Sequence, residues 1–424
     1  MSLLDFQVDH VNILIESLTT NNVAIDISNT GCGKTYCSIF MCKKLNLLPL
    51  VICPKSVISN WLTVIKLFDI DYIGISNYES FKNGKMYKDD LEKKIECKYI
   101  KKDLTFDIDD VDAAKILVIF DEAHRCKNKD TQNAKILLNI DIKKIKVLLL
   151  SATLADKIEN MCVFAKLLQF CEHVNFFNLL VSSESLTLKK IHKKIFPAYG
   201  HGLRIADIKT FPENLIIPGK FTMSNYKEIQ ESYNMINLIV KDKEAKLEKA
   251  NSILEKILRA RQRIEALKIP TICELAEDHL ESGNSVVIFV NFKHTLELIK
   301  IKLKIKLFIC GDQSLTERAE AIRSFQANEE RIIICNMQSG NVGISLHDTD
   351  GKFPRVSIIS PSWSAQDLMQ ALGRIFRAGG KSKVIQKIVY CANTIEEDVA
   401  NLIQIKLDNY AQLNDCVDKS DIKI

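Results

Sequence analysis

Several short clusters in this 424-residue chain carry the residue types that phosphate chemistry needs. Ser28-Asn29-Thr30-Gly31-Cys32-Gly33-Lys34-Thr35 follows the apolar run Val23 to Ile27 and leads into Tyr36 to Met41, which reads as strand, glycine-bearing loop and helix. Backbone N–H groups at a helix N-terminus cradle phosphate oxygens, glycines let the backbone approach closely, and a lysine neutralises the outer phosphates. Thr35 supplies a hydroxyl for Mg²⁺. The strict pattern begins with glycine where this chain has Ser28, and a glycine turn before a surface lysine would satisfy the stretch taken alone.

Asp121 and Glu122 end the apolar run Ile116 to Phe120. One carboxylate can hold the Mg²⁺ shell and the next can orient and deprotonate an attacking water. Alone, Asp-Glu at a strand end is often a solvated turn; after a phosphate loop it is the pair that nucleotide hydrolysis requires. Gln370-Ala371-Leu372-Gly373-Arg374-Ile375-Phe376-Arg377 places two arginines three residues apart, on one face if helical. Phosphoryl transfer gains greatly from a guanidinium on the developing charge.

These clusters must be positioned by strands. The runs 48–54, 116–120 and 147–150 are short and apolar, as is 23–27 apart from Asp26; they alternate with helical stretches and end on polar residues. That pattern predicts a parallel sheet covered on both faces, with ligands at the carboxyl ends of its strands. Residues 1–22 read as an amphipathic helix, 82–115 as a lysine-rich surface excursion, and 227–268 as one or two long helices. Alternation resumes in 285–290, 307–311, 331–335, 356–360 and 387–391, a second α/β unit without a phosphate loop.

With 47% hydrophobic and 26% charged residues the composition is that of a globular protein. No apolar run reaches the ~18 residues of a membrane helix, so no membrane association is expected. The N-terminus lacks the form of a secretory signal, which leads to an intracellular expectation. Thirteen cysteines, an odd number without a Cys-x-x-Cys pair, predict buried reduced thiols. The net charge of +5 permits a polyanionic partner without demanding one.

Over essentially its whole length, and in motif order, the chain resembles a superfamily 2 helicase or translocase of DEAH type. Leu4-Asp5-Phe6-Gln7 resembles the glutamine motif, 28–35 motif I, and Cys53-Pro54-Lys55-Ser56 with Asn60-Trp61 motif Ia. Ser76-Asn77-Tyr78-Glu79 resembles the next strand-contacting motif, Asp121-Glu122-Ala123-His124 motif II and Ser151-Ala152-Thr153 motif III. Residues 339–346 resemble motif V and 370–377 motif VI. The spelling is most similar to the Swi/Snf-related branch and to helicases of large cytoplasmic DNA viruses, the poxvirus transcript-release type among them.

The resemblance implies two RecA-like parallel-sheet domains in tandem, 1–170 and 269–424, with a helical insertion over 171–268 between them. ATP and Mg²⁺ are the implied cofactors. Gln7, Thr30, Gly31, Cys32, Gly33, Lys34, Thr35 and Gly343 would bind the nucleotide, and Thr35 and Asp121 the metal. Lys34, Asp121, Glu122, Arg374 and Arg377 would be catalytic, the arginines reaching the nucleotide from the second domain. Nucleic acid is the implied partner, DNA before RNA, touched mainly through its phosphates by Pro54, Lys55, Ser56, Asn77, Tyr78, Gly340 and Ser345. Transcription or replication machinery is the implied setting, in a host cytoplasm if the source is viral. Two alternatives stay open: an ATP-binding accessory or transcription-release factor that clamps or translocates without separating strands, and a P-loop ATPase that remodels protein.

Overall fold

The computed structural model describes residues 2–88, 93–152, 154–155, 158–171, 188–208, 211–241, 250–337, 344–361, 364–401 and 405. Thr153, Gly340 and Gly343, all singled out in the sequence, lie outside the described residues. The chain divides into two compact units, Met1–Lys209 and Thr210–Ile405.

The first unit contains β1 (Val23–Asp26), β2 (Leu48–Cys53), β3 (Gly74–Asn77), a small antiparallel hairpin of β4 (Lys85–Met86) and β5 (Ile95–Glu96), then β6 (Ile116–Asp121), β7 (Lys146–Leu150) and β8 (Gly200–His201). Its main sheet is parallel throughout, in the order β3-β2-β6-β7-β1-β8. β1 and β6 are apolar and buried along almost their whole length because helices cover both faces, so alternation gives way to continuous hydrophobic runs. Asp26 and Asp121 both stand opposite Leu150, so β1, β6 and β7 end level. The polar residues that follow them are thereby delivered to one edge.

The second unit carries β9 (Asn214–Phe221), β10 (Ser285–Val290), β11 (Leu307–Ile309), β12 (Ile332–Asn336), β13 (Arg355–Ile359) and β14 (Val384–Cys391). These form another parallel sheet, ordered β11-β12-β10-β13-β14-β9. A buried pair, Lys268 with Glu396, ties a helix start to the chain beyond β14. Glu396 also accepts from Tyr233 Oη at 2.8 Å and from the Cys391 N–H at 2.7 Å.

Residues 171–268, set apart in the sequence as a helical insertion, are divided between the units. β8 joins the first sheet, whereas β9 and the helices Tyr226–Lys241 and Ala250–Leu267 belong to the second unit. The two helices match the long-helix expectation for 227–268. β9 was hidden by Pro218 and Gly219 within it, residues that an edge strand tolerates and a central strand does not.

Candidate nucleotide site

The loop after β1 closes into the helix Lys34–Leu45, with Gly31 at φ 95° and Gly33 at φ 90°. Both lie in the left-handed region that only glycine enters without strain. Lys34 Nζ is folded over the loop, donating to the carbonyls of Ser28 (2.7 Å) and Asn29 (3.2 Å). Thr30 and Cys32 lie in the loop, Cys32 fully buried, and Thr35 in the first turn of the helix that follows. Gln7, expected to bind the nucleotide, is 4% exposed and engaged by the protein: its amide donates to Cys32 O at 2.8 Å and its carbonyl oxygen accepts from Leu4 N at 3.0 Å. A Cβ on Gly33 would meet that amide at 2.3 Å. Gln7 therefore braces the phosphate loop against the helix Asp5–Asn21.

At the end of β6, the Asp121 carboxylate accepts from the Trp61 indole N–H at 2.8 Å and from the Glu122 N–H at 3.0 Å. Burial first, then the Glu122 charge, pushes its carboxyl up to about 6, against the opposing pull of Trp61 and Lys34. Glu122 sits at φ 55°, an uncommon conformation for a residue with a Cβ, and its carboxylate lies 3.3 Å from His124 Nδ1. The same ring nitrogen is 3.1 Å from Ser151 Oγ at the end of β7, so motifs II and III are joined through one histidine.

Thr35 and Asp121 offer oxygen donors, which suit a hard divalent cation. Among the described residues no group of three His, Cys, Asp or Glu could hold a metal alone. A Mg²⁺ that takes one or two protein oxygens and completes its shell from nucleotide phosphates and water needs no more. The residues fit ATP·Mg²⁺.

The residues expected to touch nucleic acid separate into two groups. Lys55 is exposed, Ser56 half-buried and Pro54 buried where the chain leaves β2. Tyr78 is 3% exposed and donates its hydroxyl to Asp121 O at 2.8 Å, and the Asn77 side chain accepts from Ser80 N at 2.9 Å as a helix cap. Their side chains are thus internal fasteners. In the second unit, half-buried Ser345 accepts through its carbonyl from Gln326 Nε2 at 2.7 Å.

Arg374 and Arg377 do not share a helix. The helix Ala365–Leu372 stops at Gly373, and both arginines follow in the turns beyond it. Arg374 is 2% exposed with Nη1 on Ile344 O at 3.3 Å, and half-buried Arg377 donates from Nε to Gly373 O at 3.1 Å.

Sequence reasoning missed a buried polar cluster behind the phosphate loop. Asp26 has no exposed surface; it accepts from Ser28 N at 2.8 Å and lies 3.2 Å from His10 Nε2. His10 Nδ1 lies 2.8 Å from His201 Nδ1. Burial alone would raise the Asp26 carboxyl, but His10, Lys34 and the Ser28 contact outweigh it and hold it at about 2. The available signals were Asp26 itself, a lone carboxylate within an apolar run, and Gly200-His201-Gly202, a histidine between two glycines.

Two family models match in succession: "Type III restriction enzyme, res subunit" over residues 1–156 and "Helicase conserved C-terminal domain" over residues 267–379. The chain is 36% identical over 449 residues to an Acanthamoeba polyphaga mimivirus protein named as an ATP-dependent RNA helicase, covering 97% of this chain and 84% of that one. To the Saccharomyces cerevisiae DNA repair and recombination protein RAD54 it is 26% identical over 262 residues, 58% of this chain and 26% of that protein. Among solved structures, S. cerevisiae Dbp5 bound to RNA and ADP BeF3 superposes with a TM-score of 0.51 at 15% identity, covering 96% of this chain and 92% of that one. At that identity the likeness concerns the fold, tandem RecA-like domains. Fold and site define an ATP-hydrolysing helicase or translocase. The chain belongs to superfamily 2, among the viral helicases related to the Snf2 branch.

Proposed function

We propose that this helicase is a DNA-stimulated ATPase that moves along its track by cycles of nucleotide binding and hydrolysis. The observation that carries the reading is the level ending of β1, β6 and β7, which gathers the Lys34 loop, Asp121–Glu122 and Ser151 on one edge of a single sheet. When nucleotide binds, Lys34 leaves the Ser28 and Asn29 carbonyls for the β- and γ-phosphates. Thr35 and Asp121 would hold Mg²⁺, which would supply charge neutralisation for the phosphates. Glu122, oriented by His124, takes the proton of the attacking water as the new P–O bond forms and the bond to the leaving ADP breaks. Arg374 and Arg377 are the proposed guanidiniums for the charge that develops on the transferred phosphate.

DNA as the track is supported by the Snf2-like motif spelling and by the DNA-repair relative; the mimivirus relative's name makes RNA the rival. The test is ATP turnover alone and with DNA and RNA of several lengths, beside triplex-displacement and strand-displacement assays. DNA is expected to raise turnover well above the unstimulated rate and above the RNA-stimulated rate. Stronger stimulation by RNA would move the track to RNA, and equal rates with and without either would remove the motor reading in favour of protein remodelling.

A further inference from the structure

The segment Gly200–Ile205 runs alongside β1 and its loop with unusually many direct bonds. Backbone pairing continues past β8, with Ile27 N on His201 O at 3.1 Å and Asn29 N on Leu203 O at 3.0 Å. In the other direction Leu203 N donates to Ser28 Oγ (2.9 Å) and Ile205 N to Asn29 Oδ1 (3.0 Å). Arg204 Nη1 donates to Ile27 O at 2.6 Å. The approach is too close for side chains: a Cβ on Gly200 would lie 2.0 Å from Ile25 O, and one on Gly202 would lie 2.8 Å from Ile27 Cγ1.

Two cations therefore hold carbonyls of the phosphate loop, Lys34 on Ser28 and Asn29, and Arg204 on Ile27. Lys34 must let go to reach a phosphate. Arg204 is half-buried with its guanidinium held on Ile27 O; burial lowers its pKa to about 10, and the Asp26 charge partly offsets that. We propose that Arg204 is a positioning residue for the phosphate loop, holding with the Gly200–Ile205 strap the loop geometry that a nucleotide polyphosphate requires once Lys34 has turned to the phosphates. The inference rests on the reading of 28–35 as the phosphate loop. A guanidinium suits the place because it keeps its charge when desolvated and presents several donors at fixed angles.

A loop that is held serves the bound nucleotide and the transition state alike, so its loosening should appear in binding rather than in turnover. In the full-length protein, Arg204→Gln is expected to raise both the dissociation constant of a fluorescent ADP analogue and the KM for ATP by about tenfold, with kcat within about threefold. The stabilisation by ADP in a thermal melt should shrink by the matching factor in affinity, while the nucleotide-free melting temperature stays close to the parent's. Arg204→Lys, which keeps a donor for Ile27 O, should recover most of the affinity. Asn29→Ala, which removes the Ile205 contact without emptying a buried site, should shift affinity in the same direction and decides the question if Arg204→Gln does not fold. Parent-like ADP affinity in Arg204→Gln, or in Asn29→Ala where that variant decides, would overturn the proposal, as would a fall in kcat at constant KM. Lys34→Ala is the control on the underlying reading: if it still bound the ADP analogue like the parent, the phosphate-loop assignment itself would fail.

Discussion

Glu122 and Trp61 show how much of the chemistry depends on single atoms. Glu122 is aimed by an unusual backbone conformation and by His124, so Glu122→Gln, isosteric and still able to accept a hydrogen bond, should keep ATP affinity and lower turnover by at least a hundredfold, the usual scale for loss of a general base. Parent-like hydrolysis by the purified variant would remove Glu122 from that role. Trp61 donates to the carboxylate proposed for the metal, a bond to a charged acceptor worth about 1.5–3 kcal/mol. In Trp61→Phe the ring still fills the core but Asp121 loses a contact that lowers its pKa, so half-saturating Mg²⁺ should rise roughly tenfold, by the energy of that bond. An unchanged Mg²⁺ titration of ATPase activity would show the contact to be incidental. Histidines set the acid response. His347 is held down to about 4 by burial and by Arg377 and Arg355, and His201 lies below its ordinary value through burial and His10. At these two histidines the folded state binds fewer protons than the unfolded chain below pH ~6.5, so their contribution to stability is present above that value and is lost as pH falls through the folded pKa values, whereas Asp121, raised to about 6, acts in the opposite direction. Asp26, at about 2, keeps its charge throughout that window. From pH 7 to 5 the nucleotide-free melting temperature of His347→Gln should therefore shift less toward instability than the parent's; an identical slope in the variant would show that His347 contributes nothing.

At the scale of elements, the clearest energetic commitment is the Lys268–Glu396 pair, both partners 2% exposed, between the start of the helix Ile269–Glu281 and the chain after β14. Removing one partner strands the other charge, at a cost of about 3–5 kcal/mol. Lys268→Met should lower stability in urea by that order, and Lys268→Met with Glu396→Gln should recover part of it, because the glutamine carries no charge yet can still bond Tyr233 and the Cys391 N–H. A single variant as stable as the parent would mean that water or local rearrangement rescues Glu396. Elements of this kind also mark the limit of what the sequence discloses. β2, β6, β7 and β10, and β1 but for Asp26, were legible because strands buried on both faces are close to continuously apolar. β3, β8 and β9 were not: the first two are short, and β9 carries a proline and a glycine that its edge position tolerates. In the site, Lys34, Asp121 and Glu122 were legible from their types at strand ends. The embrace of Asp121 by Trp61 and Tyr78, and of the phosphate loop by Arg204, was not, because it joins residues far apart in sequence through side chains that look like ordinary core.

For the whole molecule, the question is whether hydrolysis in a site built on the first unit depends on the second. Each unit has its own sheet and its own buried residues. The two arginines of the second unit are held differently, and that difference makes the dependence testable. Arg374 is nearly inaccessible and grips the Ile344 carbonyl, while its own carbonyl accepts from Leu346 N at 2.9 Å, so it braces the stretch that carries Ser345. Arg377 is less buried, and its Nε donates locally to Gly373 O at 3.1 Å. Arg377, the more exposed of the two, is the one proposed for the transferred phosphate. Lysine keeps the charge but loses the planar fork that bridges two oxygens. Arg377→Lys should lose about a thousandfold of nucleic-acid-stimulated turnover, the scale of an arginine on a transferring phosphate, while melting temperature and nucleotide-free DNA binding stay near parent values. Arg374→Lys should instead lower the melting temperature, since a buried guanidinium is replaced by a group that cannot match its donors. Parent-like turnover in Arg377→Lys would reduce that arginine to a turn residue, and an undiminished melting temperature in Arg374→Lys would show that its burial is not what holds motif V to motif VI.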